Sequence, residues 1–457
     1  MNEARSVWRR WVTVWLAVGV VLRALLIVFP RSPDDDTDAY LELGQNLFHK
    51  FIYGMTDDGV TSPSLFRLPG YPVFLALLGG HIWLVLVVQS VVDLAGCYLL
   101  ALFLRRYWSD RAGLTVLALG ATCFFTAVYA ACALTESLSI FAVMAGIYCL
   151  GEVLGDDGAF AVTGWFRRLV PLAGAAALGM VLRPDGALLT FAIGLALVVY
   201  GVRRVGAVGG VRTAALFGVL ACLPLVPWTI RNAVTFGVFQ PLAPRHVNDP
   251  GERVNLGFYR WLRTWSVDFE TTGLVFWKVG TEAIDVGDMP ARAFDSPAQR
   301  AETVALIDAY NVKKNLDQAL DDRFGALAEV RVRAHPLRYY VWVPALRVMD
   351  MWLRPRTEGM DVNVSWWRWR ERRRDSAIAV GLGLLNLFYV LAAVGGAMRR
   401  PPLGVFLGVF VGMRCLLLAT MENSEPRYTL EAFPVVLVLA AIFLCRRAGG
   451  SSAGQAR

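Results

Sequence analysis

Asp34-Asp35-Asp36-Thr37-Asp38-Ala39-Tyr40-Leu41 follows directly on an apolar run at residues 10–30, and Leu43, Gly44, Leu47, Phe48 and Phe51 continue from Tyr40 at helical spacing. An apolar stretch of about 20 residues can cross a bilayer. The spacing behind it predicts an amphipathic helix lying along a membrane surface. The aspartates then stand where the first span leaves the membrane.

The rest of the chain is built in the same way. Its 457 residues are 56% hydrophobic and 18% charged, with mean hydropathy +0.48. A soluble domain is roughly 45–50% apolar and ~25% charged. That gap excludes a simple soluble enzyme, a disordered chain and a secreted disulfide scaffold. Ten spans are predicted, at about 10–30, 82–104, 112–131, 134–154, 168–182, 184–201, 210–230, 377–397, 402–420 and 430–446. Arg183-Pro184-Asp185-Gly186 forces a turn between the fifth and sixth. The sequence reads as an all-α polytopic membrane protein in three parts: an N-terminal membrane module at 1–240, an outer loop region at 241–376 and C-terminal spans with a short tail at 377–457.

Formal net charge is +8, and only four of the 45 basic residues are lysine. Arg5/Arg9/Arg10, Arg105/Arg106/Arg111, Arg167/Arg168, Arg203/Arg204/Arg212, Arg399/Arg400 and Arg446/Arg447 all fall on alternate connections. The positive-inside rule makes that side cytoplasmic, so both termini are expected inside and the protein in the cytoplasmic (inner) membrane. Pro30-Arg31-Ser32-Pro33-Asp34 is no small-residue cleavage site, so the first span reads as an uncleaved anchor. Segments 31–81 and 231–376 then face outward. No phosphate-loop or dinucleotide-binding motif occurs, and the cytoplasmic connections are too short for a nucleotide-binding domain. The arginines flank spans instead of forming one patch, which argues against nucleic acid. The seven cysteines lie in or beside apolar runs and form no readable disulfide or thiolate framework.

Chemistry must therefore be sought on the outer face. The acidic run is either a solvated loop or the source of a general base held beside arginines. Leu65-Phe66-Arg67-Leu68-Pro69-Gly70-Tyr71-Pro72 fixes a bend. Leu134-Thr135-Glu136-Ser137, Pro227-Trp228-Thr229-Ile230-Arg231-Asn232 and Glu422-Asn423-Ser424-Glu425-Pro426-Arg427-Tyr428 end or begin spans at the outer edge. Each alone reads as an interfacial anchor. Together they bring Arg67, Arg183, Arg231 and Arg427 to similar depth with Asp36 and Glu136, a set suited to a phosphate group.

Residues 297–334 read as helical, and His335-Pro336 opens an aromatic run whose 337–353 portion is a surface helix or an eleventh span. Trp261, Trp265, Trp277, Trp366, Trp367 and Trp369 suggest membrane contact ahead of sugar stacking. Within the spans, Arg23, Asp93 and Arg414 are expected to pair rather than relay protons. No HExxH or GxSxG motif occurs and only four histidines are present, so the one metal left open is a divalent cation on carboxylates.

Asp36-Thr37-Asp38-Ala39-Tyr40-Leu41 with Asn46-Leu47, then Arg67-Leu68-Pro69-Gly70-Tyr71-Pro72, resembles the first outer loop of GT-C glycosyltransferases. The nearest branch is the bacterial one similar to dolichyl-phosphate-mannose protein mannosyltransferases and lipid A aminoarabinose transferase. Thr135-Glu136, Arg183-Pro184-Asp185-Gly186, Pro227-Trp228 with Arg231-Asn232, and Pro426-Arg427-Tyr428 follow in that family's order, over roughly 10–240 and 377–446. The resemblance implies a GT-C-like bundle of about ten or eleven helices with interfacial helices outside. It implies a polyprenyl-phosphate sugar donor that enters from the bilayer. It carries the catalytic base onto Asp36 and an acceptor or metal contact onto Glu136, with Asp38 beside the base. Asp34, Asp35 and Asp38 are rival registers for that base. Arg67, Arg183, Arg231 and Arg427 would bind the donor phosphate. Tyr40, Tyr71, Asp185, Trp228, Asn232, Tyr428 and His335 would support the site, and 241–376 would recognise the acceptor.

The implied reaction is a single displacement with inversion. Asp36 takes the proton of an acceptor hydroxyl on a lipid, glycan or protein, and the lipid phosphate leaves. The rival readings are a lipid or sugar transporter of envelope biogenesis and a scaffold subunit of envelope assembly. A transporter calls for internal repeats and polar residues at the midplane; here the polar residues gather at one edge.

Overall fold

The computed structural model describes residues 2–29, 35–155 and 165–447. Asp34, the Pro30–Pro33 stretch, the side chain of Asp35 and the tail beyond Arg447 lie outside the described residues. In chain order come α1 (Asn2–Val28), α2 (Asp35–Lys50), β1 (Gly54–Asp57), β2 (Val60–Pro63), α3 (Gly70–Leu77), α4 (Ile82–Tyr107), α5 (Asp110–Ala121), α6 (Phe124–Ala130), α7 (Glu136–Leu154), α8 (Trp165–Leu182), α9 (Ala187–Cys222) and α10 (Leu225–Phe236). They are followed by α11 (Leu256–Arg263), the single turn α12 (Phe269–Thr271), α13 (Pro297–Lys313), α14 (Gln318–Ala334), α15 (Val343–Leu353), α16 (Arg373–Ala397), α17 (Gly404–Ala419) and α18 (Phe433–Leu444).

All ten apolar stretches are helical, but they are unequal. Among the described residues six helices are long and apolar enough to cross a membrane, and α5 with α6, bent by 56°, makes a seventh candidate. The predicted third span is that bent pair. The predicted sixth and part of the seventh run together as the 36-residue α9, broken at Gly206 where φ is +78°, a conformation glycine adopts without a Cβ penalty. The outward end of the seventh is a separate helix, α10. Residues 338–353 form a π turn running into α15, short of the ~20 residues a span needs.

A buried side chain caps the bend between α5 and α6. Helix ends leave carbonyls without partners, and hydrocarbon supplies none. Arg23 of α1 donates to the Ala121 carbonyl at 2.9 Å while its Nε donates to Asp93 of α4 at 2.9 Å. Arg23 and Asp93 are fully buried, as the intramembrane pairing requires. Arg414, expected to join them, donates instead to the Tyr428 carbonyl.

By internal contacts the chain divides into two units. The first is Met1–Glu252 with Tyr389–Val411 and Leu430–Arg457; the second is Arg253–Phe388 with Gly412–Thr429. In the first, α4 packs on α5 and α7, α7 on α8, and α8 on α9. The α8–α9 turn at Pro184–Gly186 closes on glycine, since a Cβ on Gly186 would lie 2.1 Å from the Gly179 carbonyl oxygen.

The second unit has its own core, in which Phe258, Trp261 and Trp265 pack with Leu306, Tyr310 and Phe324. Asp321 of α14 accepts from the backbone N–H groups of Gly257 and Phe258, capping α11. Trp261 and Trp265 are 0% and 1% exposed, which corrects their expected membrane contact: both are core residues. Trp277, Trp367 and Trp369 do stand exposed.

Candidate active site

Asp36 lies one helical turn before Tyr40, on the face of α2 that buries Tyr40, Leu43 and Gly44. Asp38 is exposed on another face of the helix. The Asp36 carboxylate pairs with Arg67, beyond the hairpin. The Arg67 guanidinium sits 5.1 Å over the Tyr40 ring, and its Nε is buried with no hydrogen-bond partner. Tyr40 meets Tyr71 edge to face at 5.2 Å. The Tyr71 hydroxyl donates to Gln89 of α4 at 2.6 Å, so the loop is keyed to the bundle. Burial pushes the Tyr40 phenol up; Arg67 and Arg183 pull it down, and Asp36 and Glu136 add to the rise. Tyr40 therefore stands within electrostatic reach of two charge clusters.

The second cluster centres on Arg183, at the end of α8. Its Nη1 meets Glu136 at 3.2 Å, and its Nε meets Asp185 at 3.2 Å and Glu431 at 2.8 Å. Nη1 also reaches the Thr135 hydroxyl at 3.3 Å. A narrow pocket adjoins it, lined by Ser139, Val143, Leu189 and Phe410 beside the charged groups. Arg183 is a counter-ion of Glu136, Asp185 and Glu431. Among the described residues no three His, Cys, Asp or Glu side chains are placed to hold a metal ion.

Arg231 is also occupied. It donates to the carbonyls of Tyr53 and Ser64, each at 2.8 Å, and to the Asn232 side-chain oxygen at 3.0 Å. Its guanidinium lies 5.1–5.5 Å from the rings of Tyr53, Trp228 and Phe236. Asn232 in turn donates to the Gln240 carbonyl. The Tyr53 hydroxyl reaches the carbonyls of Arg67 and Leu68, both at 3.1 Å. Arg231 braces the foot of the hairpin and, through Tyr53, the backbone that carries Arg67.

In the second unit, Arg427 pairs with Glu425 at 2.5 Å, and the Tyr428 hydroxyl donates to the same carboxylate at 3.0 Å. His335 is exposed at the C-cap of α14. Its neighbour Asp295 is held by both prongs of Arg338 at 2.7 Å.

Two features escaped sequence reasoning. The hairpin was announced by Asp57-Asp58-Gly59-Val60, a tight-turn signal between β-prone residues. Glu431 lies one turn past Arg427, and no local pattern tied it to Arg183.

No family model matches the chain, and no curated protein matches it. Three solved chains match structurally. ArnT from Cupriavidus metallidurans bound to undecaprenyl phosphate is 15% identical, with TM-score 0.40, over 95% of this chain and 76% of that one. The apo state of the same protein gives 17% and 0.43 over the same shares. The archaeal oligosaccharyltransferase AglB from Archaeoglobus fulgidus, in complex with an inhibitory peptide and a dolichol-phosphate, gives 12% and 0.49, over 96% of this chain and 50% of that one. Both proteins belong to the GT-C superfamily that the outer-loop motifs resemble. Likeness at this distance assigns neither a ligand nor an activity.

Proposed function

We propose that the chain is a GT-C-type membrane glycosyltransferase that moves a sugar from a polyprenyl-phosphate donor to an acceptor hydroxyl on the outer face of the cytoplasmic membrane. The observation that carries this reading is the Asp36–Arg67 pair over the Tyr40 ring, with the buried Arg67 Nε unspent. A partly exposed carboxylate beside an arginine with donor capacity in reserve can serve both ends of a displacement.

The acceptor oxygen forms its bond to the anomeric carbon as its proton passes to the Asp36 carboxylate. The bond from that carbon to the phosphate oxygen breaks, and the electron pair leaves with the lipid phosphate. Arg67 meets the growing charge on that phosphate in a poorly hydrated site. Configuration inverts, and no other energy source is needed. Glu136, held by Arg183 and reaching Tyr40 electrostatically, faces the acceptor. Arg231 keeps Arg67 in place.

The test is sugar transfer by the purified chain from a synthetic polyprenyl-phosphate sugar to extracted envelope glycolipid. Transfer with inverted anomeric configuration is expected. Failure with every donor, together with an unchanged envelope glycan profile in a strain carrying Asp36→Asn, would overturn the reading.

A further inference from the structure

A second recess lies in the first unit, at the end of the bundle that carries the basic connections. It is an open cleft of about 390 Å³ lined by Trp11 and Trp15 of α1, by Arg111, Leu114, Thr115, Ala118 and Leu119 of α5, and by Cys445. The α5 residues fall at i, i+3, i+4, i+7 and i+8, which is one face of a helix, and the two tryptophans at i and i+4 form the facing stripe. Along α5 the wall runs eight residues, or about 12 Å at 1.5 Å per residue. It is charged at Arg111 and apolar beyond Thr115.

The arginine at the mouth is set apart from its neighbours. Arg105 pairs with Asp110 at 3.0 Å, and Arg106 with Glu152 at 2.5 Å. Arg111 is exposed and has no ion pair or side-chain hydrogen bond among the described residues. An uncommitted guanidinium above an apolar trough, flanked by tryptophans that favour headgroup depth, is complementary to an acidic amphiphile. Its polar end meets the cation while its first acyl carbons lie along Leu114, Ala118 and Leu119.

We propose that this cleft is a binding site for an anionic phospholipid, whose phosphate is held by Arg111 and whose acyl chain lies between α1 and α5. The site is distinct from the Asp36–Arg67 pair and does not depend on the transferase reading.

The full-length chain in neutral detergent would be titrated with phosphatidylglycerol, phosphatidylcholine and undecaprenyl phosphate, and the bound lipids counted by native mass spectrometry. Phosphatidylglycerol should be retained over phosphatidylcholine by roughly five-fold, the factor one arginine near a membrane surface supplies. Arg111→Gln should bring that ratio to parity, and Arg111→Lys should restore most of it. Arg400→Gln, at an exposed arginine on a different connection, should leave the ratio unchanged. Leu114→Trp, which fills the trough, should lower retention of both phospholipids. No preference in the wild type, or equal effects of the Arg111 and Arg400 substitutions, would overturn the site. Stronger retention of undecaprenyl phosphate than of phosphatidylglycerol, lost in Arg111→Gln, would overturn the assignment to a structural phospholipid.

Discussion

Arg67 closes back on Asp36 across 31 positions of chain, so the two halves of the outer-loop pattern are one object in space. Between them lie α2, the hairpin and the bend before α3. The loop is held at three points: by the ion pair itself, by Arg231 at the foot of the hairpin, and by Tyr71 on Gln89.

Asp36→Asn keeps the shape of the side chain and removes the base. Sugar transfer should fall by roughly 10²–10⁴-fold, the range for a lost general base, with donor binding largely retained. Asp38, exposed on another face of α2, should tolerate Asn with turnover within about two-fold of wild type. Single-turnover transfer by both purified variants decides between them; the reverse ranking would move the base to Asp38.

Arg183 and Arg67 should fail in different ways. Arg183→Gln takes a counter-ion from the buried Glu136, and breaking a buried pair costs about 3–5 kcal/mol. Thermal unfolding in detergent should fall sharply for that variant. Arg67→Gln removes a partly exposed charge and should fold normally while raising the donor KM. A normally folded Arg183→Gln chain that loses only donor affinity would assign Arg183 to the phosphate.

For Arg231, lysine cannot reach two carbonyls and the Asn232 oxygen while stacking on aromatic rings. Arg231→Lys should leave the bundle intact and loosen the hairpin. Limited proteolysis should then cleave near Asp57-Asp58-Gly59 several times faster than in the wild type. An unchanged cleavage rate would show that the hairpin stands without its brace.

In the second unit, burial pushes the Asp350 carboxyl up to about 6; Asp268 adds to the rise and Arg354 opposes it. A raised folded-state value means the fold holds a proton that the unfolded chain releases near pH 4. This contribution to stability is complete below about pH 4 and is lost as pH rises through 6. Asp350→Asn should flatten that dependence. It should match the wild type near pH 4 and exceed it by up to about 3 kcal/mol at pH 7.5, read from tryptophan-fluorescence melts across the range.

The sequence revealed the helices because apolar runs and flanking arginines report a bilayer directly. It singled out Asp36, Tyr40, Arg67 and Tyr71 through motifs of one loop, and the fold brings the four side chains together. It did not reveal what the arginines hold. Arg183 finds Glu431, 248 positions away, and Arg231 finds backbone carbonyls, which carry no residue identity. Trp261 and Trp265 misled for a related reason: a tryptophan suits a membrane boundary and a soluble core equally well, and only packing against Phe258 and Phe324 separates the two.

The buried Arg23–Asp93 pair bears on how the chain is made. Synthesis delivers α1 to the membrane before α4, so Arg23 precedes its partner by 70 residues. An arginine at the centre of an isolated span costs roughly 2.5–3.5 kcal/mol on insertion scales, and Arg23, five residues from the end of α1, meets a smaller cost of the same sign. Until Asp93 arrives, α1 is a reluctant guest of the lipid, and its lowest-energy place is beside the insertion machinery. The arrival of α4 releases it, and the Ala121 carbonyl completes the exchange. A generic apolar helix grafted in place of α1 would insert more readily and then strand Asp93 in the interior, so first entry and final assembly make opposite demands on the same residue.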